Sequence, residues 1–501
     1  MYHPFTHSTP MRRLIHVLLL FLLLLNPSHP AYGADENHGT MPQSLSDLSG
    51  SRVGVITGST NDLNLTKTMP DVELLRYDDH ASLLQALETK RVDAILLDST
   101  MTFEARLSER GMTIAFSGFS HGEAAVGFRY DEQELCDSFN VFLNAIREDG
   151  TYDEIIDRWI SNGVEGVKMP TLPPAEGPVL NIAIADGNIP FGFQTLDGFV
   201  GVEPELIERF CRRIGRTPVI QSYEFSALVA GLMSGRVDLV SGFMFITPER
   251  AKNILFSDPY YSCSCVCVVP TQTVTDNKTF IQRTADSFRQ NLVVENRWRL
   301  LLQGLGTTLI VSLFSILLGT LLGMLMCWRA CSRHKKLWEG ILRVYGAIMH
   351  GVPLLVILML MFYVVFAGTS LTAITIAIIT FAISFGYASC EIFRSGIDSV
   401  PKGQTEAARS LGFSRSQAFR YIVLPQAVKK IIPFYEGEAV NLIKETSIIG
   451  FIAIIDLTKA ANIIQSRTFD AFFPLIIISL IYFFLTWLLS FALRKLTKTN
   501  A

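Results

Sequence analysis

The sequence predicts a multi-domain chain in which α/β layers precede an all-α membrane domain of five transmembrane helices. Three observations carry this. Of 501 residues, 49% are hydrophobic and 18% charged, with a mean hydropathy of +0.33, whereas an ordinary soluble domain is about 25% charged. The balance is uneven: residues 35–300 read as soluble, and 301–493 are apolar with charge confined to short stretches. Strands and helices alternate in the first part, and apolar runs of bilayer-crossing length recur in the second. A net charge of −3 argues against nucleic-acid binding, which would show a basic surplus.

Residues 1–33 read as a secretion signal. Arg12 and Arg13 precede an apolar run from Leu14 to Leu25, and Ala31-Tyr32-Gly33 offers a small-x-small cleavage site. The run is short for a span; an uncleaved anchor is the alternative. Residues 34–300 are therefore expected outside the cytoplasmic membrane.

Within them, Arg52 to Ile56 reads as a strand ending at Thr57-Gly58-Ser59-Thr60, where a helix starts with Ser59 or Thr60 as cap. Free N–H groups at such a start can hold a carboxylate. Leu83 to Leu87 reads as a helix, and Val92 to Leu97 as a buried strand closed by Asp98. The alternation implies a mainly parallel sheet, with ligands bound beyond the carboxyl ends of its strands, where Ser59, Thr60 and Asp98 fall. A Pro-rich linker, 166–178, separates this block (45–165) from a second (179–270). The second block has a strand at Val179 to Ile184, helices at Leu206 to Ile214 and Phe225 to Met233, and a strand at Asp238 to Val240. Cys263, Cys265 and Cys267 alternate along one strand and so share a face. Neighbours about 7 Å apart and pointing the same way make poor disulfides. They are expected to face a core, with a metal site as the alternative.

The exported region resembles the two-lobed amino-acid-binding proteins of ABC importers. The matching stretches are Pro190-Phe191-Gly192-Phe193, Gly201 to Leu206, Ile246 to Arg250 with Phe256 to Tyr261, Arg91 to Ala94 with Asp98, and the closing Glu148 to Tyr152 with Trp159. In that family the lobe with the Pro-Glu-Arg segment comes first. Here it comes second, so the expected fold is a solute-binding domain with its lobe order permuted. The alternatives are the remains of two tandem domains, or halves that pair across two copies of the chain. The resemblance implies that Arg250 grips the ligand α-carboxylate and Asp98 the α-ammonium. Gly58, Ser59 and Thr60 would add donors, and Phe225 and Phe191 would line the site. A planar two-pronged guanidinium suits a carboxylate. The chain departs from the family where Asn188 replaces an aromatic residue, where Phe245 replaces Ser or Thr, and where Ser241-Gly242 is displaced by one residue.

After a linker and pre-membrane helix (271–299), the membrane domain (300–495) is read as spans at Leu300–Trp328, Val344–Phe366, Leu371–Phe393, Phe434–Ile455 and Ala471–Leu493. Gly304, Gly306, Gly319 and Gly323 in the first suit close helix packing. Lys and Arg cluster between spans one and two, between three and four, and in the tail. The positive-inside rule then puts the start of span one outside and the C-terminus in the cytoplasm of a multi-pass inner-membrane protein.

The long inner loop carries Gln404 to Gly412, including Glu406-Ala407-Ala408, followed by Ile422 to Pro425 and later Lys444 to Ser447. This is similar to the EAA loop of ABC importer permeases of the polar-amino-acid branch, which have the MetI-like fold. By that resemblance Glu406, Ala407, Ala408 and Gly412 form the helix and turn that dock on a cytoplasmic ABC ATPase. No Gly-x-x-x-x-Gly-Lys-Ser/Thr motif occurs in the chain, so it is expected not to be an enzyme, to hold no cofactor or metal, and to rely on ATP bound by a separate subunit. A permease homodimer and an amino-acid ligand are implied. Two rivals stand beside this: a ligand-sensing membrane receptor, and a permease whose exported part is a docking platform for a separate binding protein.

Overall fold

The structure, a computed structural model, describes residues 41–99, 107–108, 110–162, 164, 167–271, 280–330, 335–470 and 472–498. The expected signal segment and its cleavage site lie outside them. The strands are β1 (Arg52–Ile56), β2 (Glu73–Tyr77), β3 (Ala94–Asp98), β4 (Met112–Ala124), β5 (Gly127–Phe128), β6 (Val179–Ala185), β7 (Phe193–Thr195), β8 (Gly198–Val200), β9 (Thr217–Tyr223), β10 (Leu239–Ser241), β11 (Leu255–Phe256) and β12 (Tyr261–Pro270). They form two five-stranded sheets, β2-β1-β3-β12-β4 and β11-β5-β10-β6-β9, with β7 and β8 as a separate hairpin.

Each sheet is the core of one lobe. In the first, β2, β1 and β3 run parallel and β12 joins antiparallel to β3. Residues Ala94 to Leu97 of β3 are buried, as befits a parallel strand covered on both faces. Gly54 of β1 lets the helix His80–Glu88 lie close, since a Cβ there would sit 2.6 Å from Leu83. In the second sheet β10, β6 and β9 are parallel.

The chain crosses between the lobes twice, at Ala125-Val126 and at Ser257 to Tyr260. The crossings hydrogen-bond to each other: the Ser257 amide donates to the Val126 carbonyl at 2.9 Å, and the Tyr260 amide to that of Ala124 at 2.9 Å. A paired double crossing of this kind is a natural hinge. It also corrects the expected block boundaries. Tyr261–Pro270, assigned from sequence to the second block, pairs with β3 and β4 of the first lobe. Conversely the closing helices of the first block pack on the second lobe. Phe139 and Phe142 meet Phe210 at 5.0 and 5.6 Å between ring centres, and the Trp159 indole donates to Glu205 at 2.7 Å. The two lobes are thus completed within one chain, as in a permuted domain. Cys263, Cys265 and Cys267 are all buried in that first-lobe sheet.

Among the described residues of the membrane region, three helices are long and apolar enough to cross a bilayer: Trp298–Arg329, Ala373–Asp398 and Phe472–Leu493. Two bent pairs bring the number to five if each counts as one span. One pair, Trp338–Gly351 with Leu354–Val365, turns by 106°. It breaks at Pro353, which cannot donate a backbone bond to the preceding turn. The expected second span, Val344–Phe366, straddles this break. The other, Arg415–Ile452 with Leu457–Thr468, bends by 54°, where Ala453 takes a φ of +63° and Asp456 caps the new helix by accepting from the Lys459 and Thr458 amides at 2.8 and 3.1 Å. The expected fourth span therefore ends in a short helical turn, Thr446–Ile452.

Gly304, Gly319 and Gly323 sit at close contacts: added Cβ atoms would lie 2.4 Å from the Asp456 carbonyl, 2.9 Å from that of Ala382 and 2.7 Å from the Ser389 Cβ. Gly306 faces open space, so its expected packing role is not met. Gly323→Leu is expected to lower stability by about 1–3 kcal/mol through overpacking, with Gly306→Ala neutral. Thermal unfolding of the detergent-solubilised protein checks both, and equal effects would remove the packing argument.

Candidate functional site

Both lobes turn the carboxyl ends of their parallel strands toward one cleft, the place where α/β sheets bind ligands. A cavity of about 360 Å³ lies there, within the usual range for small-molecule sites. Its walls follow from the topology. Ile56 ends β1 and Thr57 follows it, Asp78 and Asp79 follow β2, and Asp98 ends β3. From the second lobe come Asp186 after β6, Glu224 and Phe225 after β9, and Gly242 after β10.

Asp98 and Arg250, expected from sequence to grip the two ends of an amino acid, both line this cavity. Asp98 Oδ1 accepts from Asn61 Nδ2 at 3.4 Å and from the Cys265 thiol at 3.5 Å. Burial pushes its carboxyl up to about 6, against the pull of those bonds and of Arg250. The Arg250 guanidinium reaches across the cleft. Nη1 donates to the Phe245 carbonyl at 2.8 Å and Nη2 to the Gly58 carbonyl of the other lobe at 3.0 Å. Those bonds use two of its five N–H donors. Burial lowers its pKa and Asp98 opposes the change.

The other expected residues divide. Ser59 and Thr60 line the cavity. Ser59 caps the helix Thr60–Thr68, its hydroxyl accepting from the Asp62 amide at 3.2 Å. Gly58 is not in the wall: its amide donates to Asp62 at 2.9 Å and its carbonyl holds Arg250. Phe225 lies under the Arg250 guanidinium at 5.3 Å. Phe191 is 1% exposed and stacks on Phe243 at 4.0 Å, inside a cluster with Tyr261. It is a core residue outside the cavity wall. Among the departures, Asn188 donates to the Gly242 carbonyl at 3.1 Å. Phe245 fills the space over Gly122, where a Cβ would lie 2.1 Å from its ring.

Sequence reasoning missed other cavity residues, among them Asn61, Asp186, Glu224 and Lys459. Asn61 is 3% exposed, with its Oδ1 unpaired. Its signal was adjacency to Thr60 in the first turn of a helix. Asp186 and Glu224 follow strands, as Asp98 does, and the same positional rule would have found them. Lys459 lies more than 200 residues away, on the helix Leu457–Thr468 of the membrane region. This helix and the turn before it close one side of the cavity through Ser447, Gly450, Phe451, Thr458, Lys459, Asn462 and Ser466. Further bonds join the two regions. Gln465 Nε2 donates to Asp79 Oδ1 at 3.2 Å, Arg236 Nε to the Phe362 carbonyl at 3.0 Å, and Arg110 to the Phe469 carbonyl.

At the far end of the membrane region, Glu406, Ala407 and Ala408 sit on the helix Lys402–Ser410, with Ala408 buried and the other two exposed. Gly412 has a φ of +89°, and the Phe413 amide closes back on the Ala408 carbonyl at 3.2 Å. This is the left-handed helix stop that glycine permits. Ser414 and Gln417 then cap each other to start the next helix.

Residues 303–499 match the family model of the binding-protein-dependent transport system inner membrane component. A glutamine transport system permease protein of Rickettsia bellii is 32% identical over 200 residues, 40% of this chain and 91% of the relative. The chain belongs to this permease family. A solved structure of an amino acid ABC transporter with histidines shares 32% identity, covering 44% of this chain and 99% of that one at a TM-score of 0.38. A ligand-binding component of an ABC-type import system from Staphylococcus aureus covers 49% of this chain and 72% of its own at 12% identity and a TM-score of 0.25. The family match begins at residue 303, so the two-lobed α/β region stands in front of a permease domain in the same chain.

Proposed function

We propose that this chain is the permease subunit, with its own exported binding region, of an ATP-driven importer of polar amino acids. The observation that carries the reading is the cavity itself. It holds Arg250 and Asp98 between two hinged lobes, and the permease's own turn and helix at 446–468 form part of its wall. A zwitterionic ligand finds a cation for its carboxylate and a carboxylate for its ammonium, and closure of the lobes would bury both. The relative's name, a glutamine permease, supports the substrate class. The family supports a multi-pass inner-membrane location, and the clustering of Lys and Arg supports residues 34–300 outside and the C-terminus in the cytoplasm.

A separate ABC ATPase would dock on the Lys402–Ser410 helix and its glycine turn, and a homodimer would complete the pathway. Leu411 is 80% exposed and Tyr421 60% exposed at this end, an apolar surface with a use if a partner covers it. Leu411→Asp is expected to leave the fold intact, to abolish co-purification with the co-expressed ATPase, and to reduce ATP-driven uptake into proteoliposomes at least about tenfold. A wild-type protein that binds an amino acid but couples to no ATPase would favour the receptor rival instead.

The docking-platform reading has its own support: two Arg250 donors are already bonded to backbone carbonyls, and Phe245 brings an aromatic ring to the cavity wall. Direct ligand titration of the full chain separates it from the first.

A further inference from the structure

The cavity is rich in acid beyond what a zwitterion uses. If Arg250 and Asp98 take the two α-groups, Asp186 and Glu224 remain on the second lobe's side of the wall. What faces them is Lys459 of the membrane domain. Its ammonium lies 2.6 Å from Glu224 Oε1, and its side chain is 6% exposed. Asp186 stands close enough to be influenced by both Lys459 and Glu224: burial raises its carboxyl pKa, Lys459 lowers it, and Glu224 raises it. Asp186 Oδ1 also accepts from the Gln194 amide at 2.8 Å, which fixes its carboxylate after β6.

The position is supported from below. Asp456 caps the helix and aims its first turn, where Lys459 sits, into the cleft. Asp78 and Asp79, on the first lobe's side, are engaged by Thr57 Oγ1 at 3.1 Å and by the Ser82 amide at 2.8 Å. Asp186 and Glu224 are therefore the acids whose neighbouring cation comes from the permease.

We propose that Lys459 is a tethered stand-in for the cationic side chain of a ligand: an amino acid with a basic side chain competes with it for Glu224 and Asp186. This rests on the reading of the cleft as an amino-acid site and names its substrate class as cationic. The chemistry is an exchange of ammonium or guanidinium groups at one carboxylate pair, with no bond made or broken. Because Lys459 belongs to the membrane domain, the exchange also cuts an ion pair between the binding region and the permease. Ligand occupancy is thereby linked to docking, and return of Lys459 favours release toward the pathway. Linkage makes the effect reciprocal.

The test uses the full chain in nanodiscs, titrated calorimetrically with L-arginine, L-lysine and L-glutamine. Lys459→Met is expected to tighten arginine and lysine about tenfold while leaving glutamine within about twofold. Glu224→Gln, a second variant that leaves the sequence of the membrane helix unchanged, is expected to weaken the basic amino acids selectively by a similar factor. Basic amino acids that bind no tighter to Lys459→Met than to the parent would overturn the competition. Glutamine binding without arginine binding would overturn it too, while leaving the amino-acid reading in place. No binding of any of the three by a folded chain would remove that reading and the proposal with it.

Discussion

Arg250→Ala is expected to abolish amino-acid binding by the full chain, weakening it at least about thirtyfold. Truncating one partner of a buried charge pair costs about 2–5 kcal/mol, because the other charge is left unpaired. The guanidinium has a second duty, the bond to Gly58 across the cleft, so lobe closure should also be disturbed. Arg250→Lys separates the two effects. It keeps the charge but loses the planar fork, and should recover only part of the affinity. Asp98 adds a pH signature. Its carboxyl sits at about 6 in the free protein, raised chiefly by burial. A bound ammonium would stabilise the charged form, so affinity should be highest above about pH 6 and fall by up to about tenfold per unit below it. For stability the sign is reversed. A carboxyl whose folded pKa lies above its ordinary value binds more protons when folded, so the charged-form penalty present above about pH 6 is relieved as pH falls toward 3.8. Affinity that is flat from about pH 5 to 7, together with unimpaired binding by Asp98→Asn, would take Asp98 out of the site.

Trp159→Ala is expected to destabilise the binding region by about 3–5 kcal/mol, the usual cost of emptying a buried aromatic site. Trp159 is fully buried and donates to Glu205, itself fully buried and paired with Arg158 and Arg209. Removing the indole opens a cavity and takes one donor from that carboxylate. Trp159→Phe should cost less. Hydrogen exchange on the full chain reads the effect by region: β6, β9 and β10 should lose protection while the membrane helices keep theirs. A change within about 0.5 kcal/mol, typical of a surface position, would mean that the closing helix is not seated on the second lobe.

Much of this was legible in the sequence because it rests on local patterns. The period of apolar residues marks strands and spans, and the strand-end rule located Asp98. The Gly412 stop could be read from a glycine after an alanine-rich helix. Other features depend on what packs against what. Phe191 sits in a motif whose pattern suggests a ligand contact, yet Phe243 and Tyr261 enclose it, and no local spacing reveals that. The return of β12 to the first lobe is a pairing across more than 160 residues, from Cys265 to Asp98. Hydropathy saw the apolar character of Val344–Phe366 but not the turn at Pro353, since both halves of a bent segment are equally apolar. In the sequence Lys459 is a single cation after the fourth apolar run, and only the docking of its helix on the cleft gives it Glu224 as a neighbour.

Polar bonds from Arg236, Gln465, Arg110 and Lys459 join the two regions, together with apolar contacts such as Tyr223 with Tyr363, 6.5 Å between ring centres, and Phe469, buried in the core of the lobes. Here both surfaces belong to one polypeptide, and the short connection from Pro270 to Trp298 keeps each at an effective local concentration on the order of millimolar for the other. Contacts too weak to capture a free partner can therefore stay occupied most of the time and still open quickly. On the proposed function, the binding region need not find its permease by diffusion or leave it to reload. Capture at low external ligand would then be limited by the arrival of ligand, and the maximal rate by the cycling of each chain's own cleft.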